Sequence, residues 1–307
     1  MSKKRIGLIG LGDIAQKVYL PLLSVNEQVE LVGIMSSTAA TVERMKMKYR
    51  IPFGTTQLNE LLSLGLDVVF VHSPTSTHFD IAMACMAHGV AVYVDKPLSY
   101  TWAESVEMAA YAEQKGVLLA AGFNRRYAPL YIEAKMWLQE AGGFDVASAV
   151  KHRTKLQGHS AKETLYDDLI HMLDTLLWLG DSPYEVTASH QQVDDSGKLL
   201  HASGMLGFGS ATGSYSMVRL AGVDLEKVEL HGSGRSVEVT NLESAVFYDK
   251  NAAPRLRTFG SWDTVLERRG FAGVVQHFLH SLDDPNACGI RADLVLASHE
   301  LVEKLSV

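Results

Sequence analysis

Two patterns of apolar and polar positions divide this chain. Over the first 122 residues, continuous apolar runs alternate with stretches at helical spacing. Ile6, Leu8 and Ile9 form the first run, and others follow at 29–35, 51–53, 67–72, 90–94 and 117–121. Between them, apolar residues recur at helical spacing over 14–23, 39–49, 58–64, 79–88 and 102–115, with Pro21 expected to end or kink the first helix. Strands apolar throughout and separated by helices predict a parallel sheet covered on both faces, and right-handed crossovers make it doubly wound. The expectation is an α/β chain whose residues 1–122 form a Rossmann domain.

The second half reads differently. A linking helix is predicted over 127–140, stopped by Gly142 and Gly143, then a strand over 146–156 and a helix over 164–179. After Pro183, strand-like segments at 184–193, 199–208, 213–220, 223–231, 236–240 and 245–248 are joined by short turns, which predicts an antiparallel sheet. Residues 255–262 lead to two closing helices, 264–282 and 292–305. Residues 123–307 are therefore expected to form an α+β substrate-binding and oligomerisation domain. A broad sheet with helices on one face leaves the other for a partner, so a homo-oligomer is expected.

Composition adds exclusions. With 307 residues, 47% hydrophobic and 21% charged, the chain is an ordinary globular one, and its length fits two domains. A net charge of −7, with no basic cluster beyond Lys3–Arg5, argues against a nucleic-acid surface. Met1–Arg5 is too short for a secretory leader, and no run approaches the ~20 apolar residues of a membrane span. Cys85 and Cys288 stand far apart, as buried free thiols of a reducing cytoplasm would.

The chemistry begins at Gly10-Leu11-Gly12-Asp13-Ile14-Ala15, directly after the first strand. A strand entering a helix through G-x-G-x-x-[GA] turns backbone N–H groups and the positive helix end toward one point, where a pyrophosphate can sit. Ligands of such sheets lie beyond the strands' carboxyl ends, which makes further stretches candidates. Ser36, Ser37 and Thr38 occupy the place where NAD enzymes carry an acid for the ribose 2′-OH. Hydroxyls do not repel a 2′-phosphate, so the site leans toward NADP over NAD; the bland reading is a helix cap. Ser73-Pro74-Thr75-Ser76-Thr77-His78 follows the 67–72 strand, and Ser76 or Thr77 has the same capping alternative. Asp95-Lys96-Pro97 follows the 90–94 strand, where a lysine in the crevice competes with the reading of a solvated surface charge.

These motifs, with Gly122–Tyr127 (GFNRRY), keep the order and spacing of the glucose–fructose oxidoreductase/inositol dehydrogenase/rhizopine-catabolism (Gfo/Idh/MocA) family, which the chain resembles over about its first 180 residues. The runs YDDLIHMLDTLLWL and WDTVLERRGF are similar to those of MviM-type oxidoreductases within it. The resemblance implies a C-terminal domain with a large, mostly antiparallel sheet, assembly as dimers or tetramers through it, and a hydride-transferring NAD(P) enzyme. It implies cofactor contacts at Gly10, Leu11, Gly12, Asp13, Ile14, Ser36, Ser37, Thr38, Ser73, Pro74, Thr75, His78, Asp95, Lys96 and Asn124. The family's E-K-P is here Asp95-Lys96-Pro97, with an acid one methylene shorter.

On the 164–179 helix, Asp167, His171 and Asp174 share one face at i, i+4 and i+7. By itself His171 reads as a core histidine, a metal ligand or a general acid/base; no metal is expected, because no further Cys or His sits at ligand spacing. His277 and His280 read as packing. With Lys96 and the glycine turn in the same chain, acid/base chemistry is favoured, and the resemblance gives Lys96, Asp167 and His171 as the catalytic set. A secondary alcohol losing hydride must also lose its hydroxyl proton; His171 can accept it while Lys96 stabilises the charge on that oxygen. Asp167 is expected to hold a substrate hydroxyl or orient His171, and Asp174 to hold the other imidazole nitrogen. Lys162–Tyr166, Asp168 and Leu169 replace a glycine-rich entrance and are expected to reshape the pocket. Lys151, His152, Arg153 and Lys155 read as a solvated strand face in preference to a substrate wall. The leading function is oxidation or reduction at a hydroxyl-bearing carbon of a sugar, polyol or related compound. The alternatives are a reductase of a non-sugar imine or double bond, and a non-catalytic dinucleotide sensor on the same fold.

Overall fold

The computed structural model describes residues 3–181 and 183–306. Met1 and Ser2, part of the stretch judged too short for a leader, lie outside them. The chain divides into two compact units, one of Met1–Gly122 with Val275–Leu296, the other of Phe123–Val274 with Ala297–Val307.

The first unit holds a six-stranded sheet: β1 (Lys4–Ile9), β2 (Val29–Met35), β3 (Phe53–Thr55), β4 (Val68–Val71), β5 (Ala91–Val94) and β6 (Leu119–Ala121). The order is β3-β2-β1-β4-β5-β6 and every pairing is parallel, the doubly wound arrangement expected. β4 is buried at all four positions, as a central strand covered on both sides must be. Helices Ala39–Tyr49 and Trp102–Lys115 have the predicted bounds. The latter is N-capped by Thr101 and ends on Gly116 at φ +63°, in the left-handed region that favours glycine.

Pro21 does not end the first helix. The helix widens into a π-turn over Ala15–Tyr19 and continues as Leu20–Ser24, with Pro21 in the first turn of that segment. The widened turn just before it accommodates a mid-helix proline, which has no N–H to give to the preceding turn.

The second unit carries an eight-stranded sheet: β7 (Val146–His152), β8 (Glu185–Val193), β9 (Leu199–Phe208), β10 (Ala211–Val218), β11 (Leu225–Gly232), β12 (Arg235–Thr240), β13 (Ser244–Asp249) and β14 (Arg255–Thr258). The order is β14-β13-β12-β11-β7-β10-β9-β8, antiparallel except between β7 and β10. The predicted 264–282 helix is two, Val265–Arg268 and Phe271–His280. Gly270 separates them at φ +78°, and a Cβ there would lie 2.1 Å from the Asn124 carbonyl oxygen, so only glycine permits that approach. Cys85 and Cys288 are buried free thiols.

Candidate active site

In the first unit, the glycine turn, Ser36–Thr38, Ser73–His78 and Asp95–Lys96 follow β1, β2, β4 and β5 at their carboxyl ends. β1 and β4 are adjacent and the connections diverge from them to opposite edges, which is where a doubly wound sheet opens a crevice. Gly10 has φ +87°, and an added Cβ would meet backbone atoms of His72 and Ser73 at 2.3–2.5 Å. At Gly12 an added Cβ would meet nothing within 4 Å, so a side chain there would project into open space over the turn. Leu11 and Ala15 are buried, whereas Asp13 is exposed and pairs with Lys17 at 2.6 Å. A tight turn at Gly10, open space at Gly12 and a buried small residue at position 15 fit a dinucleotide pyrophosphate.

Thr38 and Thr77 occupy N-cap positions, yet neither side chain makes the capping hydrogen bond, which weakens the bland reading of both clusters. Thr77 Oγ1 instead donates to the Pro74 carbonyl at 2.8 Å and lies 2.7 Å from Ser73 Oγ, whose hydroxyl can donate to it. His78 is buried between the carbonyls of Ser73 and Pro97, 2.9 Å from each, so it ties the β4 loop to the β5 loop. Burial pushes the His78 imidazole below its usual pKa. Its place is thus behind the loops.

The β5 loop has a buried support that the sequence reading did not find. His72 stacks on Tyr19 with ring centroids 3.7 Å apart, and its Nδ1 faces Asp95 Oδ2 at 3.9 Å. Asp95 Oδ1 accepts from the Lys96 backbone N–H at 2.9 Å. Burial alone would raise the Asp95 carboxyl, but His72 and the Lys96 charge outweigh it and hold it below the usual range. For His72 burial wins, and its pKa is lowered despite the facing carboxylate. The shorter acid before Lys96 therefore turns back toward the sheet and braces the lysine's backbone.

In the second unit, the predicted helix forms but contains another π-turn: Ala161–Thr164, the π-turn Leu165–Leu169, and Ile170–Gly180. Such an insertion changes the spacing, so Asp167, His171 and Asp174 no longer follow simple i, i+4 geometry. Asp167 is half-buried and accepts from Gln157 Nε2 at 3.1 Å. His171 is buried, with Nε2 at 3.3 Å from Arg125 Nη1. A guanidinium only donates, so this imidazole nitrogen accepts.

Two expectations need correction. Asp174 is taken up by Arg126, through contacts of 3.0 and 2.7 Å, and by Ser298 Oγ at 2.7 Å, in place of the second imidazole nitrogen. A fully buried carboxylate needs a charged partner, and the forked guanidinium supplies two donors. Secondly, Lys151 and Arg153 are not a solvated face: Lys151 is 2% exposed and Arg153 is half-buried. They share the parity of Ala147 and Ala149, which point into the core from β7. Asp168 is buried and bound by Lys151 at 2.7 Å, Arg153 at 3.5 Å and Arg219, so it enters an ion cluster. Asn124, expected to contact cofactor, donates to the Arg269 carbonyl at 2.7 Å and accepts from Arg125 Nη1 at 3.1 Å. Among the described residues, no group of three or more His, Cys, Asp or Glu is placed to hold a metal ion. None of their helices is long and apolar enough to cross a membrane.

Comparison with known proteins bears on this arrangement. Residues 4–123 match the model of the GFO_IDH_MocA oxidoreductase family, described as an NAD-binding Rossmann fold, and residues 129–249 match the YceM-like C-terminal domain. Over 99% of its length, and 98% of the relative's, the chain is 33% identical to the YceM protein of Salmonella typhimurium. The chain belongs to the Gfo/Idh/MocA oxidoreductase family. A solved member, a dehydrogenase (MviM) from Clostridium difficile, superposes with a TM-score of 0.92 at 32% identity over 99% of both chains. The NADP(+)-dependent scyllo-inositol 2-dehydrogenase IolW of Bacillus subtilis is 28% identical over 60% of this chain and 54% of its own. As a Gfo/Idh/MocA member the protein is an oxidoreductase with an NAD(P)-binding Rossmann unit.

Proposed function

We propose that this Gfo/Idh/MocA protein is a dehydrogenase acting at a hydroxyl-bearing carbon of a sugar, polyol or related small molecule. The observation that carries the reading is the glycine turn at the β1/β4 divergence, with Lys96 at the carboxyl end of β5, in a chain that also holds a buried His171 whose Nε2 accepts from Arg125. The naming of an inositol dehydrogenase among its relatives supports the substrate class.

In this reading the N–H groups of Gly10–Ala15 bind the pyrophosphate, Ser36, Ser37 and Thr38 bind the adenosine ribose, and Ser73, Pro74 and Thr75 line the cofactor. The absence of an acid among Ser36–Thr38 favours NADP. A nicotinamide bound there would supply the hydride chemistry. The Lys96 ammonium hydrogen-bonds the reacting oxygen and stabilises negative charge there. His171 Nε2 takes the hydroxyl proton; Arg125 Nη1 can yield that nitrogen because it retains Asn124 Oδ1, and the other guanidinium nitrogens retain Glu226. Asp167, half-exposed beside Gln157, binds a second substrate hydroxyl. A homo-oligomer in the cytoplasm completes the proposal.

The test is titration with NADH and NADPH by fluorescence, followed by a screen of polyols, sugars and sugar acids for reduction of NADP+ or NAD+ at 340 nm. Micromolar cofactor binding with turnover of at least one hydroxylated compound is expected. Binding without turnover across the panel refutes the enzyme reading.

A further inference from the structure

On the core face of the central strands β11, β7 and β10 lies a cluster of six charged side chains. Arg125 holds Glu226 through contacts of 3.1 and 2.9 Å, and Tyr131 also donates to Glu226 at 3.4 Å. Lys151 Nζ lies 2.7 Å from Asp168 and 3.8 Å from Glu226. Asp168 Oδ2 also takes Arg153 Nε at 3.5 Å and Arg219 Nη1. Four cations thus share two carboxylates; Asp167 is the next acid along the π-turn, and Asp224, held by Thr154, faces Arg153 together with Lys155, so five cations still outnumber four acids. Arg219 Nε is buried without a hydrogen-bond partner among the described residues, so the donors also exceed the acceptors.

The cluster joins the candidate catalytic face directly, because Arg125 touches both Glu226 and His171. Its outermost member is Arg153, whose side chain is 28% exposed against 2% for Lys151 and 5% for Arg219. Buried charge is costly unless it is paired, and a pinning role for the helix would need only matched numbers. We propose that the substrate of this dehydrogenase carries an anionic group, a carboxylate or a phosphate, that is bound at Arg153, the exposed edge of the cluster that Arg125 links to His171. This rests on the dehydrogenase reading and specifies its substrate class. Arginine meets either anion with two donors in one plane.

At Lys151 the neighbouring cations add to the effect of burial. Burial first, then repulsion by Arg125 and Arg153, outweigh the attraction of Asp168 and Glu226 and push its ammonium down to about 8. A bound anion raises it again, so binding at pH 8 takes up protons.

The experiment uses the full chain saturated with NADP+ and three ligands that differ only at C6: glucose, glucuronate and glucose 6-phosphate. Isothermal titration at pH 8 in Tris and in HEPES reads affinity and proton uptake together. We expect one or both anions to bind at least about tenfold tighter than glucose, with proton uptake, and the tighter of the two identifies the anion. Arg153→Gln should shrink that advantage to less than about threefold, whereas Arg153→Lys, which keeps the charge, should retain most of it. Equal affinity for all three ligands, no binding by either anion, or an advantage that survives Arg153→Gln overturns the proposal. Turnover at 340 nm separates the two readings. Anion preference without turnover of any compound removes the dehydrogenase and leaves the anion site; turnover of neutral compounds with no anion preference does the reverse.

Discussion

The two glycines of the β1 turn make opposite demands, and a pair of alanine substitutions separates them. In Gly10→Ala the new Cβ sits at φ +87° and 2.3–2.5 Å from the backbone of His72 and Ser73, atoms that belong to the end of a central strand and its loop. The left-handed conformation costs about 1–2 kcal/mol and overpacking against rigid backbone about 1–3 kcal/mol, so a loss of about 3 kcal/mol is expected. For a unit of this size that lowers the melting temperature by roughly 6–12 °C. In Gly12→Ala the Cβ meets no protein atom within 4 Å, so stability should stay within about 0.5 kcal/mol of wild type. The methyl instead occupies the space assigned to the pyrophosphate, and NADPH affinity should fall about 10–100-fold, or roughly 1.4–2.8 kcal/mol. Calorimetric melting reads the first effect and NADPH fluorescence titration the second. Wild-type NADPH affinity in Gly12→Ala would show that the phosphates do not lie against this residue. A Gly10→Ala protein melting with wild type would refute the turn geometry itself.

Other outcomes follow from the buried charges. Arg126→Leu leaves the Asp174 carboxylate with Ser298 as its hydroxyl donor and should cost about 3–5 kcal/mol in urea unfolding, with part recovered in the Arg126→Leu/Asp174→Leu double variant. A loss below about 1 kcal/mol would show that the pair is not desolvated. Burial would raise Glu226, but Arg125 and Lys151 outweigh it and hold its carboxyl at about 2, below the 4.5 of an unperturbed glutamate. Its contribution is therefore complete above pH 4.5 and is lost as pH falls toward 2; urea midpoints measured across that window should drop in wild type and drop less in Glu226→Gln. Lys151 gives a slope of the same sign in a higher window. Its folded value of about 8 lies below the unperturbed 10.5, so stability should rise as pH climbs from 8 to 10.5, and Lys151→Met should flatten that rise.

How much of this the chain announces depends on the range of the interaction. Helices 39–49, 102–115 and 292–305 and strands 29–35 and 199–208 are legible to the residue, because their apolar periodicity and end signals are local. The two π-turns are not, since an inserted residue leaves composition and periodicity nearly unchanged while it rotates everything after it. That rotation is why Asp168, and not Asp167, enters the ion cluster. By its charge Lys151 reads as solvated, whereas its position, on the parity of Ala147 and Ala149, carries the contrary signal. The break at Gly270 depends on the loop near Asn124, more than a hundred residues away, which no window on the sequence contains. His72 was passed over as the last residue of an apolar run, and only the fold brings it to Asp95 and Tyr19.

The central claim is that His171 moves a proton in a nicotinamide-dependent reaction. With the best substrate of the screen, His171→Ala should lower kcat about 10²–10⁴-fold while the Kd for NADPH changes less than about threefold. Unchanged kcat, or a loss of cofactor affinity as large as the loss of turnover, would contradict it.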